Sequence, residues 1–134
     1  MEQDKELRHD RRTVSMLTDH VVFCPKYRGK VLVGDIADEC HVLICKILHE
    51  LKCIPIRLAV CPDHVHIFYK YPPKLSVSYI ANRIKGATSY YLRRQFPELR
   101  KWCPKALWSP SCFHGSVGNG WDVVETYIAH QERI

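Results

Sequence analysis

Between Cys53 and Tyr71 the chain alternates side-chain character twice over. Ile54, Ile56, Leu58 and Val60 interleave with Pro55, Arg57 and Ala59, and after Cys61-Pro62-Asp63 the residues Val65, Ile67 and Tyr69 interleave with His64, His66 and Phe68. A period of two sends successive side chains to opposite faces of an extended backbone, so this stretch predicts a hairpin with one face in a core, stopped by Pro72 and Pro73. On both sides the period changes to three and four. Gly34 and Asp35 open the first such segment, with Asp35 suited to the N-cap and Ile36, Cys40, Leu43, Ile44, Ile47, Leu48 and Leu51 forming one stripe. The second begins near Ser76, with Val77, Ile80, Ala81, Ile84, Ala87, Thr88, Tyr91 and Leu92 on its packed side and Asn82, Arg83, Lys85, Ser89, Arg93 and Arg94 on its polar side.

Before the first helix, His20 to Tyr27 (HVVFCPKY) reads as a strand and KVLVG as a short second one; after the second helix, SCFHGSVG reads as a further short strand. A last helix is expected from about Trp121, preceded by Gly118-Asn119-Gly120. The order strand, helix, strand, strand, helix, strand is that of an α+β, ferredoxin-like split βαβ fold: an antiparallel sheet, two helices on one face and the other face open. Residues 1–12, rich in both charge signs, read as an N-terminal arm, and 13–134 as a single domain.

With 134 residues, 46% hydrophobic, the chain can bury one ordinary core without a disulfide or metal to hold it. Its seven cysteines are odd in number and never spaced C-x-x-C, which fits reduced packing thiols. No apolar run approaches the roughly 18 residues of a membrane span, and the start MEQDKELRHDRR lacks an apolar leader core. A cytoplasmic protein is expected. The net charge is +6, concentrated between Lys74 and Lys105, where eight basic residues face Glu98 alone. That stretch points to an anionic partner, nucleic acid first, against the plainer reading of a solvated helix face.

Two constellations carry chemistry. His64 and His66, at i and i+2 of a strand, project to one side and can converge on a cation or a phosphate; Val65 and Ile67 go to the core, which sends both imidazoles to the open face. Two surface or hydrogen-bonded histidines would give the same spacing. Tyr127 and Gln131 lie one helical turn apart and share a face. Periodicity alone ranks Tyr127 with the other tyrosines as a packing aromatic beside Val123, Val124 and Ile128.

Five ordered blocks, HVVFCPKYRGKVL, PDHVHIF, IKGATSYYLRRQFPEL, LWSPSCFHGSVG and VVETYIAHQ, resemble the small single-tyrosine HUH transposases of the simplest bacterial and archaeal insertion sequences. The resemblance implies that His64 and His66 hold a divalent ion, Mg²⁺ or Mn²⁺, that Tyr127 is the nucleophile and that Gln131 completes the metal site. It also implies a homodimer acting on single-stranded DNA with hairpins at element ends, in a nucleoid-associated setting. The reaction implied is transesterification through a 5′-phosphotyrosine, which conserves the phosphodiester bond energy and needs no ATP motif.

In that light Arg83, Lys85, Arg93 and Arg94 become candidates for DNA phosphates, Tyr90 for base stacking, and Gly118 and Gly120 for a hinge, an ordinary loop being the competing reading for the glycines. Trp102, Trp108 and Trp121 read as core or interface. Cys112 and Phe113 read as packing, and His114 and His130 are assigned no metal. A rival class is a non-catalytic single-strand nucleic-acid-binding domain on the same open sheet, though histidines stand where stacking rings would be expected. A domesticated single-tyrosine nuclease acting on chromosomal repeats is the nearer alternative.

Overall fold

The computed structural model describes residues 16–115. Within them run β1 (Leu17–Phe23), α1 (Gly34–Glu50), β2 (Ile54–Cys61), β3 (His64–Tyr71), α2 (Val77–Gln95), α3 (Pro97–Trp102) and β4 (Phe113–Gly115). The sheet order is β2-β3-β1-β4, antiparallel at every junction, which is the split βαβ arrangement expected from the alternating and helical periods. Residues 1–12 and the expected C-terminal helix lie outside the described residues. Among the described residues no helix is long and apolar enough to cross a membrane.

The two inner strands divide their side chains between two environments. Val21, Phe23, Val65, Ile67 and Tyr69 join one apolar cluster with Cys40, Ile44 and Leu48 of α1 and Ile80, Ile84 and Leu92 of α2. Their alternate neighbours His20, Val22, His66 and Phe68 therefore take the opposite face, with Val22 set between His66 of β3 and Phe113 of β4. Trp108 closes the core at one end, its indole N–H donating to Thr88 Oγ1 at 2.8 Å and its ring edge-on to Phe23.

Several local expectations are corrected. β1 starts three residues before His20 and stops at Phe23, because Pro25 has no N–H for a continuing ladder and makes only an isolated bridge to Trp108. KVLVG is not a strand: Leu32 is buried and its N–H donates to the Pro62 carbonyl at 3.0 Å, tying the segment to the hairpin turn. Asp35 is not the N-cap of α1. Val33 occupies that position, Gly34 turns the chain at φ 56°, and Asp35 sits in the first turn, where its charge still favours the helix dipole. In β2 the bulge between Pro55 and Arg57 breaks the alternation, and Ile54 and Ile56 are exposed on this edge strand. Ser76 does cap α2, accepting from the Tyr79 N–H at 3.1 Å. On that helix Ser89 is buried and Tyr91 exposed, the reverse of their expected sides, because Ser89 Oγ accepts the Leu107 N–H at 3.0 Å.

Candidate functional site

The hairpin turn delivers the two histidines to β3, where His64 pairs with Cys61 and His66 with Ala59 on one side and Val22 on the other. Asp63, the residue just before them, holds His64: its Oδ1 lies 2.9 Å from His64 Nδ1, and its Oδ2 lies 2.9 Å from Arg28 Nε. One carboxylate thus spends one oxygen on each partner. With Nδ1–H donating to Asp63, the neutral ring keeps its Nε2 lone pair for a ligand, the arrangement by which a carboxylate fixes the tautomer and direction of a metal-binding histidine. Burial would raise the Asp63 pKa, but the His64 hydrogen bond and the Arg28 charge outweigh it and the carboxyl is held below its ordinary value.

Arg28 reaches Asp63 from a strained turn. Tyr27 and Arg28 both have left-handed backbones, φ 59° and 50°, a conformation non-glycine residues adopt at a cost of roughly 1 kcal/mol or more each. Gly29 follows because nothing larger fits: a Cβ there would land on the six-membered ring of Trp102.

His66 is 3% exposed, with the His20 ring edge-on at 5.3 Å and His20 in turn edge-on to Phe68 at 4.2 Å. Burial, reinforced by His20, Arg57 and His64, brings its pKa down to about 4, so the imidazole is neutral at pH 7. A neutral ring is what coordination requires. Among the described residues no group of three or more His, Cys, Asp or Glu is placed to hold a metal ion. The pair His64 and His66 could supply two imidazole donors, one ring oriented by Asp63 and the other uncharged, and by itself makes no complete cation site.

The remaining candidates divide. Tyr127, Gln131, Gly118 and Gly120 lie outside the described residues. Arg83, Lys85, Arg93 and Arg94 all lie on α2, in the helical layer, on the far side of the sheet from His64 and His66. Lys85 Nζ donates to the carbonyls of Ser109, Pro110 and Ser111 at 2.8, 3.3 and 3.4 Å, and burial lowers its pKa. Arg93 donates to the Ser89 and Pro104 carbonyls, so both cations brace the 104–111 segment. Arg83 is exposed and 3.7 Å from Glu50; Arg94 donates to the Tyr90 hydroxyl at 2.7 Å and sits over its ring. Asp63, Arg28 and His20 had not been singled out from the sequence. The acidic residue directly before His64 was the available signal; the Arg28 contact spans a turn no spacing rule describes.

The antiparallel split βαβ sheet, with His64 and the buried His66 on the face away from its helices, is a fold shared with known proteins. Residues 13–131 match the family model described as Transposase IS200 like. The chain is 30% identical over 132 residues to the transposase for insertion sequence element IS200 of Salmonella typhimurium, covering 98% of this chain and 85% of that one. It is also 30% identical over 128 residues to the ISDra2 transposase TnpA of Deinococcus radiodurans, covering 94% and 91%. A crystal structure of a candidate transposase from Deinococcus radiodurans superposes with a TM-score of 0.81 at 28% identity, covering 88% of this chain and 92% of that one. The REP-associated tyrosine transposase, solved bound to a REP hairpin, shares the fold at a TM-score of 0.60 and 15% identity, covering 90% and 72%. The chain belongs to the IS200-like transposase family, a family of DNA-cleaving and rejoining enzymes of insertion sequences.

Proposed function

We propose that the protein cleaves and rejoins single-stranded DNA at the ends of its mobile element by transesterification through Tyr127. The observation that carries this reading is the pair His64 and His66 on one face of β3, with Asp63 fixing the first ring, in a chain whose family match extends through residue 131. The Tyr127 phenol oxygen attacks the scissile phosphorus and the bond from phosphorus to the 3′ oxygen breaks. The products are a 5′-phosphotyrosine and a free 3′-hydroxyl, the proton the phenol gives up being balanced by the one the leaving 3′ oxygen takes up, and a second strand end reverses the step. His64, His66 and Gln131 are the residues that would hold Mg²⁺ or Mn²⁺, the softer imidazoles favouring Mn²⁺. Such an ion, when bound, supplies polarisation of the phosphate oxygens against the charge that builds on them.

Asp63 keeps His64 aimed, and the burial of His66 keeps that ring uncharged. Arg83 and Arg94 are the exposed members of a basic face that attracts the strand, with Tyr90 beside them for a base; Lys85 and Arg93 add positive field while bound to carbonyls. Gly118 and Gly120 give the Tyr127 segment its hinge, and a homodimer reading hairpins at the element ends is the working assembly.

The test incubates the full chain, Mn²⁺ or Mg²⁺ and labelled single strands carrying the element ends, and resolves products on a denaturing gel. A protease-sensitive covalent adduct is expected, absent in Tyr127→Phe and lost on chelation. An adduct that survives Tyr127→Phe would remove the assigned nucleophile, and one indifferent to chelator would remove the metal.

A further inference from the structure

On the helix-covered face, away from His64 and His66, four polar side chains form a relay that the transposase reading does not use. Cys112 Sγ lies 3.3 Å from His114 Nε2, His114 Nδ1 lies 2.8 Å from Asp19 Oδ2, and the Tyr69 hydroxyl donates to the same Asp19 oxygen at 2.7 Å. Asp19 is 5% exposed and Tyr69 fully buried, whereas Cys112 and His114 are only half-buried and open toward solvent. The order thiol, imidazole, carboxylate is the one that activates sulfur nucleophiles: the acid orients the ring, and the ring holds the sulfur's proton.

Charge agrees with the geometry. Asp19 and Cys112 together raise the His114 pKa to about 9, against the effect of burial. The His114 hydrogen bond, outweighing burial and aided by the Lys85 charge, lowers that of Cys112, with Asp19 acting in the opposite sense. The other thiols differ: burial lifts Cys24 and Cys53 to about 11 and Cys40 to about 12, and raises Cys61 and Cys103. Cys45, which meets His41 at 3.8 Å, is the natural comparator.

We propose that Cys112 is a modification site for hydroperoxides, set up by His114, Asp19 and Tyr69 at the edge where β4 joins β1. The Cys112 sulfur attacks the terminal peroxide oxygen, the S–O bond forms as the O–O bond breaks, and the sulfur is oxidised by two electrons to a sulfenic acid while the peroxide is reduced. The departing alkoxide or hydroxide takes the proton that the His114 imidazolium carries. The proposal stands whether or not Tyr127 is the nucleophile, because its readouts involve no DNA.

The experiment treats the reduced full chain with equimolar hydrogen peroxide at pH 7 in the presence of dimedone and maps the adducts after trypsin digestion. The tryptic peptide 106–133 contains Cys112 as its sole cysteine, which makes the site unambiguous. Cys112 is expected to trap at least about tenfold faster than Cys45 or Cys61, and His114→Gln to slow it about tenfold, as for other thiols that lose an imidazolium partner. Where His114→Gln fails to fold, the pH profile of iodoacetamide alkylation in the unaltered chain decides. Between pH 8.5 and 6.5 the alkylation rate of a free reference thiol such as N-acetylcysteine falls as its thiolate is lost, and the Cys112 rate is expected to fall less steeply. Comparable trapping at Cys45 or Cys61, or a Cys112 rate that falls as steeply as that of the reference thiol, overturns the proposal.

Discussion

Single residues set the chemistry on both faces of the sheet. Asp63 binds two partners with its two oxygens, and removing its charge frees His64 to rotate. Loss of such an orienting carboxylate costs about 10–100-fold in metal affinity or activity, so Asp63→Asn is expected to lower Mn²⁺-dependent cleavage in that range while the fold survives. Titrating Mn²⁺ checks this: a variant with wild-type metal dependence would show that Asp63 serves only the turn. On the other face His114 makes stability depend on pH. Its folded pKa of about 9 lies above the ordinary 6.5, so its ion pair with Asp19 contributes fully below about pH 6.5 and fades as pH rises through 9. Urea denaturation of the unaltered chain and His114→Asn should therefore diverge most in mild acid and converge toward pH 9. Neither role was visible in the sequence. In the sequence Asp63 merely falls between two alternating runs, Cys112 reads as packing and His114 carries no metal assignment, because a spacing pattern does not report what an individual oxygen or nitrogen meets across the sheet.

At the scale of elements the periods carried far. The two helical stripes and the hairpin alternation located α1, β2, β3 and α2 to within a few residues, and the topology followed from their order. Where they failed, a local backbone fact intervened: the bulge at Pro55, the missing N–H of Pro25, the positive φ of Gly34. α3 also went unseen, since six residues starting at Pro97 are too few for a periodic signal. This short helix ends at Trp102, whose ring lies over Gly29 and edge-on to Tyr27, buttressing the strained turn that presents Arg28. Gly29→Ala is expected to destabilise the protein by about 1–3 kcal/mol through that collision. Trp102→Ala in the same chain should recover much of the loss, and a pair of substitutions that simply added in chemical denaturation would place the strain elsewhere.

For the whole molecule, sequence charge locates a basic stretch but does not report the duty of each cation. Lys74 to Lys105 is a basic run in the sequence, yet Lys85 and Arg93 are bound to carbonyls of 104–111 while Arg83 and Arg94 stay exposed. Binding of single-stranded DNA measured against salt separates them. Arg83→Ala and Arg94→Ala are each expected to reduce the slope of log K against log salt by about 0.7, one phosphate contact apiece. Lys85→Met should instead lower thermal stability, by leaving three carbonyls short of a donor, and an unchanged slope in both arginine variants would move the DNA to another surface.

The sheet, finally, is a partition one residue thick. Along β1, Asp19 and Val21 look one way and His20 and Val22 the other; along β3, Val65 and Ile67 are set back to back with His64 and His66. A deletion or insertion of one residue in either strand would exchange the two sides, thrusting an imidazole into the hydrocarbon core and leaving a valine where the histidine had been. Length variation among relatives should accordingly be absent from β1 and β3 and accumulate in the connections between elements, a rule of descent written by the pleat.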